Sequence, residues 1–436
     1  MNIGLLSVYA VPLMGIIVWY AYRRWRNESR ALATQSAAVQ AGLIEPSSLH
    51  PVIDQAKCVG CGACVRACPE QPEHHVLGLI NGKASLVGPT DCIGHGACRS
   101  ACPVGAIKLV FGTETRGVDI PMLQPNFESN VPGVFVAGEL GGMGLIRNAL
   151  TQGRQAMEHI AKSRPRDPKR LDVLIVGGGP AGFAAALTAK SLGLHYLIVE
   201  QDSLGGCVFK YPRGKLVMTS PVDIPLAGRM YFRQTSKEDL LKFWNEVVER
   251  EKLLVNCNER VDKIERQPDG SFIVRSSRNH YRASSVLLAI GRRGSPRKLD
   301  VPGEELPKVV YRLMDPEQYA HQEVLIVGGG DSALEAAASI SEVEGARVTL
   351  SYRGDAFGRA KPKNRQRVEQ AAHQGRVNLM LASNVSAIHP DLVILEKSGE
   401  KIEVRNRAVI VSAGGILPNE FLRGVGIEVA TKYGTE

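Results

Sequence analysis

Cysteine is almost absent from this chain outside one short segment. Of the nine cysteines in 436 residues, seven lie between residues 58 and 102, and the other two are Cys207 and Cys257. This distribution excludes a disulfide framework running through the chain and indicates ligation of a metal or a cluster. The chain also lacks a strong excess of positive charge, since its formal net charge is only +9. We therefore expect no nucleic acid partner.

Charged side chains are also missing from residues 3–22, and arginines follow directly afterwards. An apolar helix of about 20 residues, at about 1.5 Å per residue, spans the roughly 30 Å hydrocarbon core of a bilayer. Because basic residues favour the cytoplasmic end, we expect a single-pass helix in the cell inner membrane, with the following domains on the cytoplasmic side. A buried or cleaved segment is the alternative, although no cleavage site is evident.

A glycine-rich turn at residues 177–182 supplies the clearest nucleotide-binding pattern, between an apolar strand and an alanine-rich helix. Its G-x-G-x-x-G spacing provides a tight turn, a close backbone approach to a pyrophosphate and close packing of the helix on the strand. Glu200 closes the next strand, where an acid should bind the ribose hydroxyls. We therefore predict an FAD site, and a surface turn without a ligand is the alternative. The predicted residues are Gly177, Gly179, Pro180, Ala181, Gly182, Glu200 and Gly206.

A second dinucleotide pattern follows the apolar strand at residues 323–327. Ala333 replaces its third glycine, a substitution that the motif tolerates. No acid closes the next strand, and Arg353 stands there instead, with Arg359 close behind. An acid would repel a 2′-phosphate and arginine binds one, so NADPH is favoured over NADH; solvated surface cations are the alternative. The predicted residues are Gly328, Gly330, Asp331, Ser332, Ala333, Arg353 and Arg359.

Two cysteine frames with the same spacing fill the cysteine-rich segment. The first runs from Cys58 to Cys68 as C-x2-C-x2-C-x3-C followed by proline, and the second repeats it from Cys92 to Cys102. In the second frame, His95 stands where the second cysteine is expected. Residues 51–111 resemble a two-cluster bacterial ferredoxin. The resemblance implies two ligand sets, which are Cys58, Cys61, Cys64 and Cys102 for cluster I and Cys92, His95, Cys98 and Cys68 for cluster II.

His95 is the departure from the ferredoxin pattern. An imidazole can replace a thiolate on iron and raises the reduction potential, because it removes negative charge. Cluster II is therefore either a His-ligated 4Fe-4S cluster or a 3Fe-4S cluster held by three cysteines, and its absence is the third alternative. A zinc ribbon is the alternative for the whole segment, although two frames that each end in Cys-Pro disfavour it.

Residues 112–163 resemble the segment that ends the chain in thioredoxin-reductase-like flavoproteins. A strand ends at Gly138 and Glu139 and leads to a helix, and the resemblance implies that the acid binds FAD. Residues 169–436 resemble the rest of that family, including its bacillithiol-disulfide-reductase-like branch at residues 211–220. In this chain, the segment that usually comes last precedes the first dinucleotide motif. This order indicates a circular permutation, which is tolerated where chain ends lie close together. The alternatives are a segment that serves a partner chain's flavin and a vestigial copy.

These patterns predict an α/β fold with two Rossmann-like domains for FAD and NAD(P), a small α+β ferredoxin domain and one N-terminal transmembrane helix. Flavoproteins of this kind often dimerise, so a homodimer is one expectation. The predicted ranges are 1–30 for the anchor and its basic stretch, 31–50 for a linker, 51–111 for the ferredoxin domain, 112–168 for the permuted segment, 169–294 for the FAD domain, 295–412 for the NAD(P) domain and 413–436 for the return to the FAD domain.

Together, the resemblances imply a membrane-anchored flavin and iron–sulfur oxidoreductase. Nicotinamide releases two electrons together, a cluster takes one at a time, and flavin handles both. The electron partner would be a ferredoxin, a quinone pathway or a membrane complex. One alternative is a thiol-disulfide reductase that uses Cys207, although Pro212 stands where dithiol relatives carry a second cysteine, and residues 295–412 contain no cysteine. The other alternative is a membrane redox sensor.

Overall fold

A computed structural model gives the structure of the chain, which divides into two compact units. The first comprises Met1–Gly117, Ala356–Lys363 and Tyr433–Glu436, and the second comprises Val118–Asp355 and Asn364–Lys432. The structure describes all residues except 1–2, 41–43, 45, 47–48, 72–74, 93, 95, 115–116, 143–144, 164–166, 219–221, 233, 293, 359 and 435–436. Only the backbone is described for residues 3–10, 216, 218, 234 and 295.

The first unit contains one long helix and a set of short elements around the cysteine frames. These elements are α1 (Ile3–Gln40), β1 (His50–Ile53), α2 (Ala63–Ala67), β2 (Leu77–Ile80), β3 (Lys83–Leu86), a 3-10 turn (Pro89–Asp91), α3 (Ala97–Ser100) and β4 (Ile107–Val110). Strands β1 and β4 pair antiparallel, and β2 and β3 form a hairpin. Helices α2 and α3 each follow a glycine in the left-handed conformation, Gly62 and Gly96. The two frames therefore share one local fold.

The prediction of a membrane-spanning helix is wrong. Within the part of the chain that the structure describes, no helix is both long and apolar enough to cross a bilayer. The predicted inner-membrane location depended on that helix and is wrong with it.

The second half of α1 packs on the β2–β3 hairpin. Ala31 is buried with 3% of its surface exposed, and a Cβ added at Gly78 would meet its side chain at 2.5 Å. At the hairpin tip, the backbone N–H of Asn81 donates to Glu28 at 2.6 Å. The helix thus continues to Gln40, inside the range predicted as a linker, and supports the hairpin.

From residue 118 onward, single helices are separated by strands, which in several places follow one another in long runs. The helices are α4 (Ile146–Ser163), α5 (Pro180–Ser191), α6 (Lys237–Glu251), α7 (Asp331–Ile340), α8 (Pro362–His373) and α9 (Asn419–Val425), with 3-10 turns at Glu139–Gly141 and Pro316–Tyr319. The strands are β5 (Val118–Pro121), β6 (Val134–Val136), β7 (Leu171–Val176), β8 (Tyr196–Val199), β9 (Leu216–Met218), β10 (Val222–Ile224), β11 (Gly228–Met230), β12 (Gln234–Ser236), β13 (Val255–Asn256), β14 (Val261–Arg266), β15 (Phe272–Ser276), β16 (His280–Leu288), β17 (Ser295–Pro296), β18 (Val309–Val310), β19 (Glu323–Val327), β20 (Arg347–Tyr352), β21 (Val377–Leu381), β22 (Ser383–Ile388), β23 (Leu392–Lys397), β24 (Glu400–Arg405), β25 (Ala408–Val411), β26 (Gly415–Ile416) and β27 (Val429–Lys432).

The first large sheet has a parallel core in the order β13-β8-β7-β16-β6. The first half of β16 also pairs antiparallel with β15, which pairs with β14. Central strands are buried on both faces, and Leu174, Ile198 and Leu287 have no exposed surface. Such burial explains why these strands read as continuous apolar runs in the sequence.

Residues 118–163 complete this sheet within the same chain. Strand β6 pairs in parallel with Val286–Leu288 of β16, and β5 pairs with β27 near the end of the chain. Helix α4 packs against α5 with its closest approach at Gly153, where a Cβ would overlap the carbonyl oxygen of Ala181. The segment thus adds a strand and a helix beside the first glycine turn.

The second large sheet is parallel, in the order β18-β25-β19-β20-β21, and an antiparallel meander of β22, β23 and β24 follows it. Strands β17 and β26 pair where the chain leaves the first sheet and returns to it. The observed architecture therefore agrees with the predicted α/β class and its two Rossmann-like sheets, apart from the transmembrane helix.

Replacement of Gly153 tests the contact between α4 and α5. Gly153→Ala should lower the free energy of unfolding by about 1–3 kcal/mol, because the added methyl group must push the two helices apart. Gly424→Ala in α9 is the matched control, since a Cβ there meets nothing within 4 Å; it should be neutral or stabilise the helix by up to about 1 kcal/mol. Denaturant unfolding of the purified flavoprotein measures both, and equal stabilities would contradict the close approach.

Candidate nucleotide and cluster sites

The first glycine turn connects β7 to α5 with no room for side chains at two positions. Gly177 has a φ of 108°, and a Cβ there would lie 2.5 Å from the carbonyl oxygen of Ala289. A Cβ at Gly182 would overlap the carbonyl oxygen of Gly177. Glycine at both positions therefore brings the start of α5 against the strand, which is the geometry that presents helix N–H groups to a pyrophosphate.

Glu200 fixes this turn from the end of β8. Its carboxylate is buried, with 5% of the residue exposed. One oxygen accepts from the backbone N–H of Gly178 at 2.6 Å, and the other accepts from that of Asp202 at 2.9 Å. The acid predicted to bind a ribose thus also holds the glycine turn in place.

The loop of Gly206 lies against the same turn. Gly206 has a φ of 54°, and a Cβ there would lie 3.0 Å from the Cα of Gly179. The next residue, Cys207, is half-buried and packs against the apolar core of the first sheet. Both predicted residues therefore border the turn, and the sulfur of Cys207 belongs to the packing around it.

Gly138 and Glu139 lie beside the turn from the other side. Gly138 has a φ of 88° and donates its N–H to Gln152 of α4 at 2.9 Å. A Cβ at Gly138 would lie 3.1 Å from the side chain of Ala181. The end of β6 and the start of α5 therefore meet within one chain, and Glu139 follows directly as a half-buried acid.

Arg292 is a charged neighbour of Glu139 that sequence reasoning missed. Its guanidinium donates to the carbonyl oxygen of Asp119 at 2.9 Å. Burial lowers the pKa of Arg292, and the negative charges of Glu139 and Asp119 act in the opposite direction. Its place after Gly291, where an apolar strand ends in glycine, was the available signal. The pair supplies a partly buried anion and cation beside the first glycine turn.

The second glycine turn connects β19 to α7. Gly328 has a φ of 144°, and a Cβ there would overlap the carbonyl oxygen of Ser412. At Gly330, the residue before α7, a Cβ would meet nothing within 4 Å, which leaves open space at the helix start. Asp331 accepts from the side-chain amide of Asn364 at 2.7 Å. Ser332 follows it at the start of α7, and Ala333 is fully buried where a third glycine would pack.

At the end of β20, one residue contacts this turn and the next is exposed to solvent. The ring of Tyr352 packs against Gly329, where a Cβ would overlap it, and sequence reasoning missed this contact. Arg353 is exposed at the end of β20, which leaves its guanidinium accessible to a phosphate. Arg359 lies outside the described residues. The structure thus keeps one of the two predicted arginines at the carboxyl end of the strand.

The cysteines of the two frames share one core in the first unit. Cys58, Cys64, Cys92 and Cys98 have between 6% and 8% of their surface exposed, and Cys68 and Cys102 pack against them. Cys61 is exposed, and His95 lies outside the described residues. The fold therefore gathers six sulfurs in one apolar environment and leaves the seventh at the surface.

Backbone N–H groups point at most of these sulfurs. Ala84 donates to Cys58 at 3.4 Å and Ala106 donates to Cys102 at 3.3 Å. Backbone groups also donate to the sulfurs of Cys64, Cys68, Cys92 and Cys98. Hydrogen bonds of this kind stabilise thiolates and tune the reduction potential of a cluster. The donor arrangement therefore fits iron–sulfur ligation.

The charged neighbours of these sulfurs follow the ligand sets implied by the ferredoxin resemblance only in part, since Cys98 of the cluster II set is the first such neighbour of Cys64. Burial raises the pKa of Cys64 to about 11, and charges on Cys98, Cys58 and Cys61 would raise it further. Burial likewise raises the pKa of Cys92 to about 11, with Cys98 and Cys68 as charged neighbours. Cys68, Cys92 and Cys98 also line one small cavity. Because buried thiols at such pKa values stay protonated at neutral pH, iron would have to supply the charge that makes them thiolates.

The described residues contain no site for a single metal ion, since no three of their His, Cys, Asp or Glu side chains are placed to hold one. A cluster holds its cysteines farther apart than one ion does, because iron and inorganic sulfide lie between them.

These sites define a flavin- and nucleotide-dependent redox protein with a cluster-binding domain. Residues 174–434 match the family described as pyridine nucleotide-disulphide oxidoreductase, and residues 50–103 match the 4Fe-4S dicluster domain. Because the first match covers more than half of the chain, the chain belongs to the pyridine nucleotide-disulphide oxidoreductase family.

Relatives of known structure or activity cover the same part of the chain. Bacilliredoxin reductase Bdr of Bacillus subtilis is 28% identical over 60% of this chain and 82% of that protein. A ferredoxin--NADP reductase of Ignicoccus hospitalis is 31% identical over 60% of this chain and 83% of that protein. The solved bacillithiol disulfide reductase Bdr (YpdA) from Staphylococcus aureus is 28% identical, with a TM-score of 0.54 over 61% of this chain and 85% of that chain.

These matches confirm the predicted resemblance to bacillithiol-disulfide-reductase-like flavoproteins and to a two-cluster ferredoxin. The chain is an FAD-dependent oxidoreductase with a ferredoxin-type cluster domain, and the predicted FAD, pyridine nucleotide and iron–sulfur cofactors are confirmed at the level of these families. The residue assignments, the domain boundaries, the type of cluster II and the homodimer stay predictions.

Replacement of Glu200 tests the first turn. Glu200→Ala should weaken FAD binding by about 2 kcal/mol, or about 30-fold in Kd, because the two backbone N–H groups lose a charged acceptor. Glu246→Ala, an exposed acid of α6, is the control and should leave binding unchanged. Flavin fluorescence during titration of the apoprotein measures both, and equal affinities would contradict the role of Glu200.

Proposed function

We propose that this chain transfers electrons between NADPH and a one-electron protein partner, with FAD at the first glycine turn and two clusters in the cysteine core. The observation that carries the proposal is the presence in one chain of that core and of both glycine turns. The likeness to a protein named ferredoxin--NADP reductase supports a ferredoxin as the partner. In the net reaction, NADPH and two oxidised partners give NADP+, a proton and two reduced partners, and a strongly reducing partner reverses it.

The residues of the chain bind and orient the cofactors in this proposal. Bound flavin exchanges electrons in pairs or singly, and each bound cluster carries one. Glu200 holds the first turn and the nucleotide ribose, and Glu139 with Arg292 places fixed charges beside it. Gly330 leaves the start of α7 open to the pyrophosphate of NADPH, and Arg353 offers a cation to its 2′-phosphate.

Thiol-disulfide chemistry has less support in residues 169–436, which contain both glycine turns. Residues 169–436 contain only Cys207 and Cys257. Cys207 is half-buried against an apolar core, and burial raises the pKa of Cys257. A reactive thiol needs a lowered pKa. Electron transfer through clusters therefore has more support than disulfide reduction, even though one relative is named as a bacilliredoxin reductase.

An anaerobic titration with NADPH tests the proposal. We expect the absorption of oxidised flavin to bleach and an EPR signal of reduced clusters to grow in the same titration, because the electrons pass from flavin to clusters. Flavin that bleaches while the clusters stay oxidised would contradict transfer in this direction. Reduced ferredoxin added with NADP+ then measures the reverse reaction, and failure of both would overturn the proposal.

The same preparation separates the two alternatives. Cys207→Ser should leave NADPH oxidation with an artificial one-electron acceptor unchanged, whereas a disulfide reductase that uses this thiol would lose its activity. Sustained consumption of NADPH by the unmodified protein would contradict a redox sensor without turnover. Loss of turnover in Cys207→Ser at full flavin content would favour thiol chemistry instead.

Arg353 should select NADPH over NADH. Arg353→Gln should raise the KM for NADPH by about 10–100-fold, the value of a charged hydrogen bond, and leave the KM for NADH unchanged. Arg347→Gln at the other end of β20 is the matched control, since that side chain is 82% exposed. Steady-state kinetics with both nucleotides measures the difference, and an equal loss for both would contradict the assignment.

A further inference from the structure

The loop of residues 58–62 brings one predicted iron ligand to the surface. Cys61 is exposed, whereas the other six cysteines of the two frames are buried or half-buried. Its neighbour Val59 has 64% of its surface exposed, against 8% for Cys58. Cys61 is therefore the predicted ligand that a protein partner can reach, and Val59 is an apolar contact beside it.

Two cations lie on the backbone of this loop. The guanidinium of Arg66 donates to the carbonyl oxygen of Cys61 at 3.2 Å, and the ammonium of Lys83 donates to that of Cys58 at 2.5 Å. Arg66 is exposed and Lys83 is half-buried. Because a carbonyl oxygen has no net charge, neither bond neutralises the cation that makes it. The loop thus presents two positive charges in fixed positions beside the exposed cysteine.

The tip of the β2–β3 hairpin extends the same surface. A Cβ at Gly60 would overlap the carbonyl oxygen of Gly82, so the loop and the tip are in contact. The guanidinium of Arg24 in α1 lies 3.2 Å from the position that a Cβ would take at Gly82. Residues 21–30 of α1 contain four arginines and one acid, Glu28. The helix therefore adds positive charge next to the loop.

Two acids accompany these cations and leave the surface positive. Asp54 forms an exposed ion pair with Lys57 at 3.6 Å, and Glu28 accepts from the backbone N–H of Asn81 at 2.6 Å. Four cations against two acids leave an excess of two positive charges. We call this region the Cys61 surface, and it consists of residues 58–62 and 81–83 with Arg24, Glu28, Asp54, Lys57 and Arg66.

The cations of this surface change which partners can approach it. A cluster held by thiolates is negative, and its charge alone would repel an acidic protein. Arg66 and Lys83 oppose that repulsion at the ligand residues themselves. Protein interfaces place uncharged side chains at the centre and charged ones at the rim, and complementary charges steer the partners together. Exposed Val59 with cations around it fits this arrangement.

We propose that the Cys61 surface is the docking site of an acidic one-electron carrier protein. The proposal rests on the proposed function, and it adds the class of the partner and the place where it binds. Carboxylates of the carrier pair with Arg24, Arg66 and Lys83, and its redox centre faces Cys61. One electron then passes from the chain to the oxidised carrier, which is thereby reduced, and no bond forms or breaks.

Calorimetric titration of the holoprotein with an acidic bacterial ferredoxin tests the docking site. Binding should weaken as the salt concentration rises, because salt screens the charges. Arg24→Gln should raise Kd by about 2–5-fold, the value of one exposed ion pair, and it touches no predicted ligand. Arg66→Gln and Lys83→Gln should have effects of the same size, whereas the matched variants Arg66→Lys and Lys83→Arg keep the charge and should retain the affinity.

Arg99→Gln is the control for net charge. It removes an exposed arginine from α3, in the other cysteine frame, and should leave Kd unchanged. An equal loss of affinity in Arg99→Gln would mean that the overall charge attracts the carrier, and it would overturn the proposal. No binding, or binding that neither salt nor the three glutamine variants weaken, would overturn it too. Salt-sensitive self-association that these variants abolish would assign the surface to a second copy of the chain instead.

Two measurements keep this result separate from the proposed function. Iron and sulfide analysis shows that each variant has assembled its clusters, so a weaker affinity reflects the lost charge. The anaerobic titration with NADPH needs no carrier. Clusters that NADPH reduces, in a protein whose variants all bind the ferredoxin equally well, would overturn the docking site alone, and clusters that stay oxidised would count against the proposed function.

Discussion

Two carbonyl oxygens determine how closely α5 approaches β7, and the rest of the flavin-binding unit depends on that approach. The oxygens of Ala289 and Gly177 occupy the space where Cβ atoms of residues 177 and 182 would lie. With glycine at both positions, the helix start meets the strand end, and Glu200 reaches the turn from the neighbouring strand to accept from Gly178. The loops of Gly138 and Gly206 then pack against the turn from two sides. The predicted pyrophosphate position is therefore bounded by backbone atoms, with side chains around it.

A second close contact explains how residues 118–163, which the sequence predicts to be a permuted segment, complete the sheet. Gly153 lets α4 lie against α5 at the carbonyl of Ala181, and β6 pairs with β16 beside it. These contacts require the segment to be near in space, while its position along the chain is free. Strand β5, where the segment begins, pairs with β27, near the end of the chain. Chain ends that lie side by side let such a segment move from one end of a chain to the other.

The sequence predicts the two glycine turns, the parallel sheets and the cysteine core because each follows from a local pattern with a strict geometric need. Gly177 and Gly182 have no alternative residue type at these carbonyl contacts. Contacts between distant segments could not be predicted in this way. Arg292 reaches Asp119, and Tyr352 covers Gly329, through side-chain directions that no spacing encodes. The helix over residues 3–40 forms, but hydropathy alone suggested a membrane span that the described helices do not support.

The second half of α1 has a different role, which follows from what it touches. Ala31 packs on Gly78, and Glu28 accepts from Asn81, so the helix supports the β2–β3 hairpin at its base and at its tip. That hairpin carries Lys83, which donates to the carbonyl of Cys58, and Ala84, which donates to its sulfur. A shift of the helix would move both donors together. The environment of the Cys58 sulfur therefore depends on Glu28 and Ala31 of α1, and a domain cut at residue 51 would lose that support.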